Sequence, residues 1–241
     1  MFDYYYGFDA TYILVIIGAI ITLIASARVK STYKRYSKIA STSGMTGAQV
    51  AAKLLENAGI YDVQIKRVSG ELTDHYNPAT KVVNLSEVVY DSTSVAAIGV
   101  AAHECGHVMQ HNENYAPLTF RTALVPVANF GAKASWPLIL IGIVASSFLG
   151  PNTSMLILQI GIVMFSLSVL FQLVTLPVEF NASARALQKI GDLGILNQSE
   201  LPYTKKVLKA AAMTYVAAAA AAVLQLIRLL LIARGSGRDD D

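Results

Sequence analysis

The sequence predicts a mainly α-helical, multi-span membrane protein that carries a small α+β part outside the lipid. Three observations predict this. Uncharged apolar runs of bilayer-crossing length recur along the chain. A polar stretch, residues 41–112, is patterned as helix, two strands and helix. The last of those helices carries "AAHECGHVMQH", in which histidines recur at every fourth position.

Composition narrows the class. Of 241 residues, 54% are hydrophobic and only 15% charged, against about a quarter charged in an average soluble domain. The mean hydropathy is +0.48, so a lipid bilayer is an expected partner. The net charge of +3 is too small to imply nucleic acid. A single cysteine, Cys105, excludes an internal disulfide and a thiolate-rich zinc cluster. The opening "MFDYYYGFDA" is acidic and aromatic rather than basic, so the first apolar run is expected to be a retained anchor and not a cleaved leader. There is no internal repeat, and the alanine run 217–222 is expected to be helical.

Residues 1–27 form an outside segment and a first span. Ala10–Ala27 is uncharged, and Tyr4, Tyr5, Tyr6 and Tyr12 sit where an interfacial aromatic belt would. Arg28, Lys30, Lys34, Arg35 and Lys38 follow at once, which marks the cytoplasmic side. Residues 28–116 are therefore expected to be cytoplasmic. Thr46 and Gln49 form a capping-box pair opening a helix over 48–57, with Gly59 as its stop. Strands are expected at 62–68 and 81–86, with a turn at "DHYNP", 74–78. "DSTS", 91–94, offers N-caps for a helix over 95–111.

Residues 117–177 read as a membrane hairpin of two spans. The first runs from Phe130 to Leu149, with Lys133 snorkelling. "GPNTS", 150–154, is the turn, and Met155–Leu176 the return. Residues 178–206 are polar, with a helix beginning after Pro177. Residues 207–241 are a last apolar segment, interrupted by Lys209 and Arg228, and a charged tail. A charge inside a span is costly unless it faces protein or water.

His103-Glu104-Cys105-Gly106-His107 fits H-E-x-x-H. Residues four apart share a helix face, so two imidazoles can reach one zinc ion. Glu104 lies about 100° round the helix, beside the metal and not on it, where it can act as a general base. Residues 96–102 are all small or apolar, which buries the helix and leaves its polar groups in need of partners. His111 is a poor third ligand, because eight helical residues rise about 12 Å. The pattern with Gly at 110 and His at 113 is absent, since Gln110 and Glu113 stand there. Glu113, just past the helix, is the weaker acid candidate. Glu179 is the stronger, because the returning span brings it to the same cytoplasmic face as His103. A solvated carboxylate at a helix start is the plain alternative for Glu179. Asn181, Ser183 and Arg185 follow it and can orient ligands or substrate.

"TDHYNP", "KVVNLSEVVY", "SVAAIGVAAHECGHVMQH" and "EFNASARAL" together resemble the YugP-type family of prokaryotic membrane zinc metallopeptidases. The resemblance covers roughly residues 30–235. It implies a zincin-like, more narrowly gluzincin-like, catalytic part on the cytoplasmic face of a prokaryotic cell membrane. It implies His103, His107 and Glu179 as ligands to one Zn2+ per chain, Glu104 as the base, and a peptide or protein substrate. More distant relatives carry Asp four residues after the third ligand. Ser183 stands there, so their carboxylate–histidine support does not carry over.

The expected activity is metalloendopeptidase hydrolysis by zinc-activated water, with Glu104 as base and then acid. Strand 81–86 is a place for an extended substrate to add. His75, Tyr76 and Arg185 are candidates to steady the oxyanion or touch substrate. A hydrogen-bonded turn before Pro78 would equally explain the first two, and a lipid-phosphate or carboxylate contact the third. Cys105 reads as a space-filling apolar residue. The rival reading is a non-catalytic membrane scaffold or adaptor with structural zinc. Such a site closes four positions, and no fourth ligand is evident near the pair.

Overall fold

The computed structural model describes residues 10–236. Tyr4, Tyr5 and Tyr6, expected in an interfacial belt, and the final acidic residues of the tail lie outside that range. The described residues are mainly helical, with a three-stranded sheet and four helices long and apolar enough to cross a membrane. Those four are α1 (Tyr12–Tyr36), α5 (Ala116–Val144), α7 (Pro151–Asp192) and α8 (Leu201–Ser236). The shorter elements are α2 (Gly47–Asn57), β1 (Gln64–Val68), β2 (His75–Asn77), β3 (Val82–Ser86), α3 (Glu87–Tyr90), α4 (Val95–Asn112) and α6 (Ser146–Leu149). Residues group into two compact units.

One unit comprises the chain up to Ile24, Phe120–Val174 and the residues from Val216 on. Its helices touch through small residues. A Cβ on Gly142 would lie 2.6 Å from the Leu158 amide nitrogen, and one on Gly18 3.2 Å from the Ala221 Cα. Close backbone approach of this kind replaces the hydrophobic drive that is missing between helices in lipid. Ile139, Leu158, Ile162 and Leu229 form its buried cluster. Outward, Ile13, Leu23, Ile24, Leu140, Val163 and Leu230 are exposed, an apolar surface that water would not tolerate over four helices. Arg228 stacks its guanidinium 4.0 Å from the centroid of Tyr12, which gives this charge in the last apolar segment a protein face.

Several expected boundaries move. Helix α5 begins at Ala116 instead of Phe130 and runs through Pro126 and Pro137. The expected turn at 150–154 shrinks to Gly150, at φ +76°, because Pro151 already starts α7. Proline suits a first helical position, where its missing N–H would have had no partner. Pro177 does not start a new helix: α7 passes straight through it, so Glu179 sits inside the helix. The lost backbone bond is tolerated because packing fixes that turn; Val178 is fully buried and its carbonyl accepts from Gln110 Nε2 at 2.8 Å. At 42 residues α7 is roughly 63 Å long, about twice a bilayer core.

The second unit comprises Ala25–Thr119 and Thr175–Tyr215. Helix α4 is its axis. Ser94 caps it by accepting from the Ala97 N–H, and Val95, Ala96, Ala97, Ile98, Ala101 and Ala102 are wholly buried. The Thr204 hydroxyl donates to the Val95 carbonyl, which ties α8 to its first turn. Helix α2 carries the reciprocal Thr46–Gln49 box and stops at Gly59, φ +69°. In the sheet, β3 is central: it pairs in parallel with β1 and antiparallel with β2. Residues 75–77, expected as turn, are thus an edge strand; three residues are too few to show a period, and pairing with β3 decides them. The turn itself follows, with Asn77 Oδ1 accepting from the N–H groups of Ala79 and Thr80. Since β3 has a neighbour on both sides, strand 81–86 has no edge for a substrate; the open edges belong to β1 and β2.

Candidate metal centre

The H-E-x-x-H turn lies in the buried middle of α4, and Glu179 reaches it from α7. His103 Nε2 is 3.3 Å and His107 Nε2 3.6 Å from Glu179 Oε2. Among the described residues, these three are the group of histidine, cysteine or acidic side chains whose ligand atoms converge, all within 4.8 Å. The arrangement depends on Gly106. A Cβ there would lie 2.5 Å from the Ala182 carbonyl oxygen, so only glycine lets α7 come this close. The glycine inside the motif thereby delivers the acid to the histidines.

The donor set fits zinc on its own terms. Glu179 Oε2 is buried and accepts no hydrogen bond, an orphan that needs a cation. Two atoms about 2.0–2.1 Å from one tetrahedral ion lie about 3.4 Å apart, close to the observed spacing. Burial presses the His107 imidazolium down, but the facing Glu179 carboxylate and the nearby Glu104 charge carry it above its ordinary value. Proton and metal thus compete for the same electron-rich pocket.

Each imidazole has a partner on its far side. The Oγ of Ser183 lies 3.1 Å from His103 Nδ1, and Gln110 Oε1 lies 3.0 Å from His107 Nδ1. With Nε2 turned to the metal position, both Nδ1 atoms carry the proton and donate. Gln110 is wholly buried, and its amide donates to Asn181 Oδ1 as well as to Val178. Sequence reasoning used Gln110 only to exclude another motif. Its one signal was position: a polar residue three after His107 on a helix otherwise buried.

Glu104 is buried, and its Oε2 accepts from the Tyr76 backbone N–H at 2.9 Å. It lines one cavity of about 130 Å³ with His103, Glu179 and Ser183. The aliphatic wall of that cavity includes Val100, Val207, Leu208 and Ala211. Tyr33, Asp74 and Tyr215 also line it; Asp74 opens the "DHYNP" stretch, and nothing in the local sequence announced the two tyrosines. Asp74 holds the end of β3 by accepting from the Ser86 N–H at 2.7 Å, and burial pushes its carboxyl above the usual range.

The remaining candidates lie elsewhere. His75 and Tyr76 stand on β2: His75 Nδ1 is 2.8 Å from the Thr73 carbonyl, and the Tyr76 hydroxyl is 3.3 Å from His111 Nδ1. Arg185 donates to Asn181 Oδ1 and to Glu113 Oε2, both at 2.7 Å. That ion pair occupies Glu113, the weaker candidate for third ligand. None of these side chains lines the cavity. Cys105 is fully buried with its Sγ toward the Ala51 carbonyl.

Comparison with known proteins agrees with this chemistry. Residues 11–234 match the family described as "Putative neutral zinc metallopeptidase". The chain is 46% identical over 217 residues to the "Putative membrane protease YugP" of Bacillus subtilis (strain 168), which covers 90% of this chain and 93% of that protein. No solved structure matches. With the family match running from the first apolar helix to the last, the chain belongs to the putative neutral zinc metallopeptidases.

Proposed function

We propose that this chain is a membrane-embedded zinc endopeptidase of gluzincin type. His103, His107 and Glu179 hold one zinc ion, and Glu104 is the general base. The observation that carries the reading is the orphaned Glu179 Oε2, buried against two imidazole nitrogens beside a second buried acid. When bound, zinc supplies Lewis-acid activation of the attacking water and of the scissile carbonyl.

The chain's own residues supply the rest. The Tyr76 N–H holds Glu104 Oε2, which leaves Oε1 to take a proton from the attacking water. Glu104 then returns that proton to the leaving amine. Ser183 and Gln110 keep each imidazole in the tautomer that turns Nε2 inward. An extended substrate adds along the open edge of β2, not β3, and places a side chain against the aliphatic wall. His75, Tyr76 and Arg185 remain proposed contacts for substrate or oxyanion that a bound peptide would have to bring into reach.

We read residues 28–116 and 178–206 as a zincin-like cytoplasmic part, 117–177 as the hairpin and 207–241 as the last span and tail. The five basic residues after the first apolar run support that orientation. The test is casein cleavage by the purified chain. Glu104→Gln should keep the zinc and lose cleavage, and Glu179→Gln should lose most of the zinc. Normal cleavage by Glu104→Gln would end the catalytic assignment. Zinc without cleavage in the wild type would favour a structural site in a scaffold.

A further inference from the structure

A second cavity has no part in this chemistry. It opens between the basic end of α1 and the first turns of α8 and measures about 770 Å³. Arg28 and Arg35 enter it from α1, Lys206 and Lys209 from α8. On α1, positions 28, 31, 32 and 35 share one face; on α8, positions 206, 209, 210 and 213 do. The two faces converge, so four cations line one space that no acidic residue lines. Among the described residues, no ion pair engages any of the four. Like charges gathered this way repel, and an anion in the cavity removes that cost.

Two of the cations are already positioned. The Lys206 ammonium lies over the rings of Tyr36 and Tyr203, and the Arg35 guanidinium over Tyr36. Tyr36 is buried, so the platform is fixed. The cavity exceeds what a lone phosphate needs and falls among volumes that hold whole ligands, roughly 300–1,000 Å³. Its lining is also two-faced: Ala210 and Met213 add apolar surface beside the charges. Arg28 directly follows the uncharged run of α1, the depth at which headgroup phosphates meet a span.

We infer that this cavity binds the phosphate headgroup of an anionic phospholipid. The inference rests on reading α1 as a span and is independent of the peptidase reading. Side selection alone needs positive charge near the span, on any helix face. It does not account for one shared face on each of two helices.

The test uses the full chain in uncharged detergent, titrated with phosphatidylglycerol, phosphatidylcholine or inorganic phosphate. Native mass spectrometry counts retained lipid, and melting temperature reports binding. Phosphatidylglycerol should stay bound and raise the melting temperature, while the other two should do neither. Arg35→Gln with Lys206→Gln should weaken that binding about tenfold or more. Lys34→Gln with Lys38→Gln removes equal charge from the end of α1 and the turn after it, outside the cavity, and should leave binding intact. Lys209→Gln, which disturbs no ring contact, should give a smaller loss and covers misfolding of the first pair. Equal losses from the Lys34/Lys38 pair would overturn the proposal in favour of diffuse surface attraction. An equal shift with phosphatidylcholine, or with inorganic phosphate at the same concentration, would overturn it as well.

Discussion

Gly106 has no side chain, and the space a Cβ would take is filled by the carbonyl oxygen of Ala182, 2.5 Å away. The obstacle is backbone, which cannot swing aside as a side chain can. Gly106→Ala should therefore push α7 off α4, costing about 1–3 kcal/mol as overpacking does. It should also draw Glu179 away from the histidines. Zinc content measured after dialysis should fall well below wild type while far-UV circular dichroism stays helical. Full zinc in a folded Gly106→Ala protein would show that the close approach is not what sets the site.

The far sides of the imidazoles give a graded prediction. Ser183→Ala removes a neutral partner of His103 and should weaken zinc retention about tenfold against a chelator. Ser183→Asp should restore it, because a carboxylate accepts the Nδ1 proton more strongly. Gln110→Leu should be worse, about 10- to 100-fold, since it also removes the amide's bonds to Val178 and Asn181 that fix it against α7. If Gln110→Leu holds zinc like the wild type, the amide is only structural.

Asp74 predicts a pH dependence. Burial raises its folded pKa above the ordinary carboxylate value, outweighing the Ser86 bonds. The folded chain therefore holds this proton more tightly than the unfolded chain. Its stabilising contribution is complete below the unfolded value and is lost as pH rises through the folded one. Asp74→Asn keeps an acceptor for Ser86 and cannot ionise. Urea denaturation across the weakly acidic range should show a flatter fall in stability with pH for Asp74→Asn. Parallel curves for the two proteins would refute the assignment.

Ala211 stands on the aliphatic wall of a cavity of about 130 Å³. Ala211→Leu should fill part of that space without touching a proposed ligand. Cleavage beside bulky aliphatic residues should fall more than cleavage beside small ones, read as kcat/KM on a peptide pair. A discrimination of about 10-fold or more is in the range a methylene or two controls. Equal losses on both peptides would place the substrate side chain elsewhere.

How much of this was legible beforehand differs from element to element. The capping box at Thr46 and Gln49 and the helix behind Ser94 were readable because caps are local chemistry over three or four residues. The stretch His75–Asn77 was not, because its strand state comes from pairing with β3 rather than from its own pattern. The continuity of α7 through Pro177 was missed for a related reason: local propensity says break, and burial of the surrounding turn overrules it.

Sequence alone determined the apolar runs, the basic flank of the first one, and two histidines with an acid between them on one helix. Each depends on residues a few positions apart, where helical period and hydropathy act directly. Only tertiary structure decided that Glu179 stands 3.3 Å from His103, that Gln110 and Ser183 back the imidazoles, and that four cations from α1 and α8 share a cavity. Apart from Gln110, which stands three residues after His107, those relations join residues dozens to more than a hundred positions apart. Close packing sets them, through contacts such as Gly106 on Ala182, and no short-range pattern in the sequence encodes the distance.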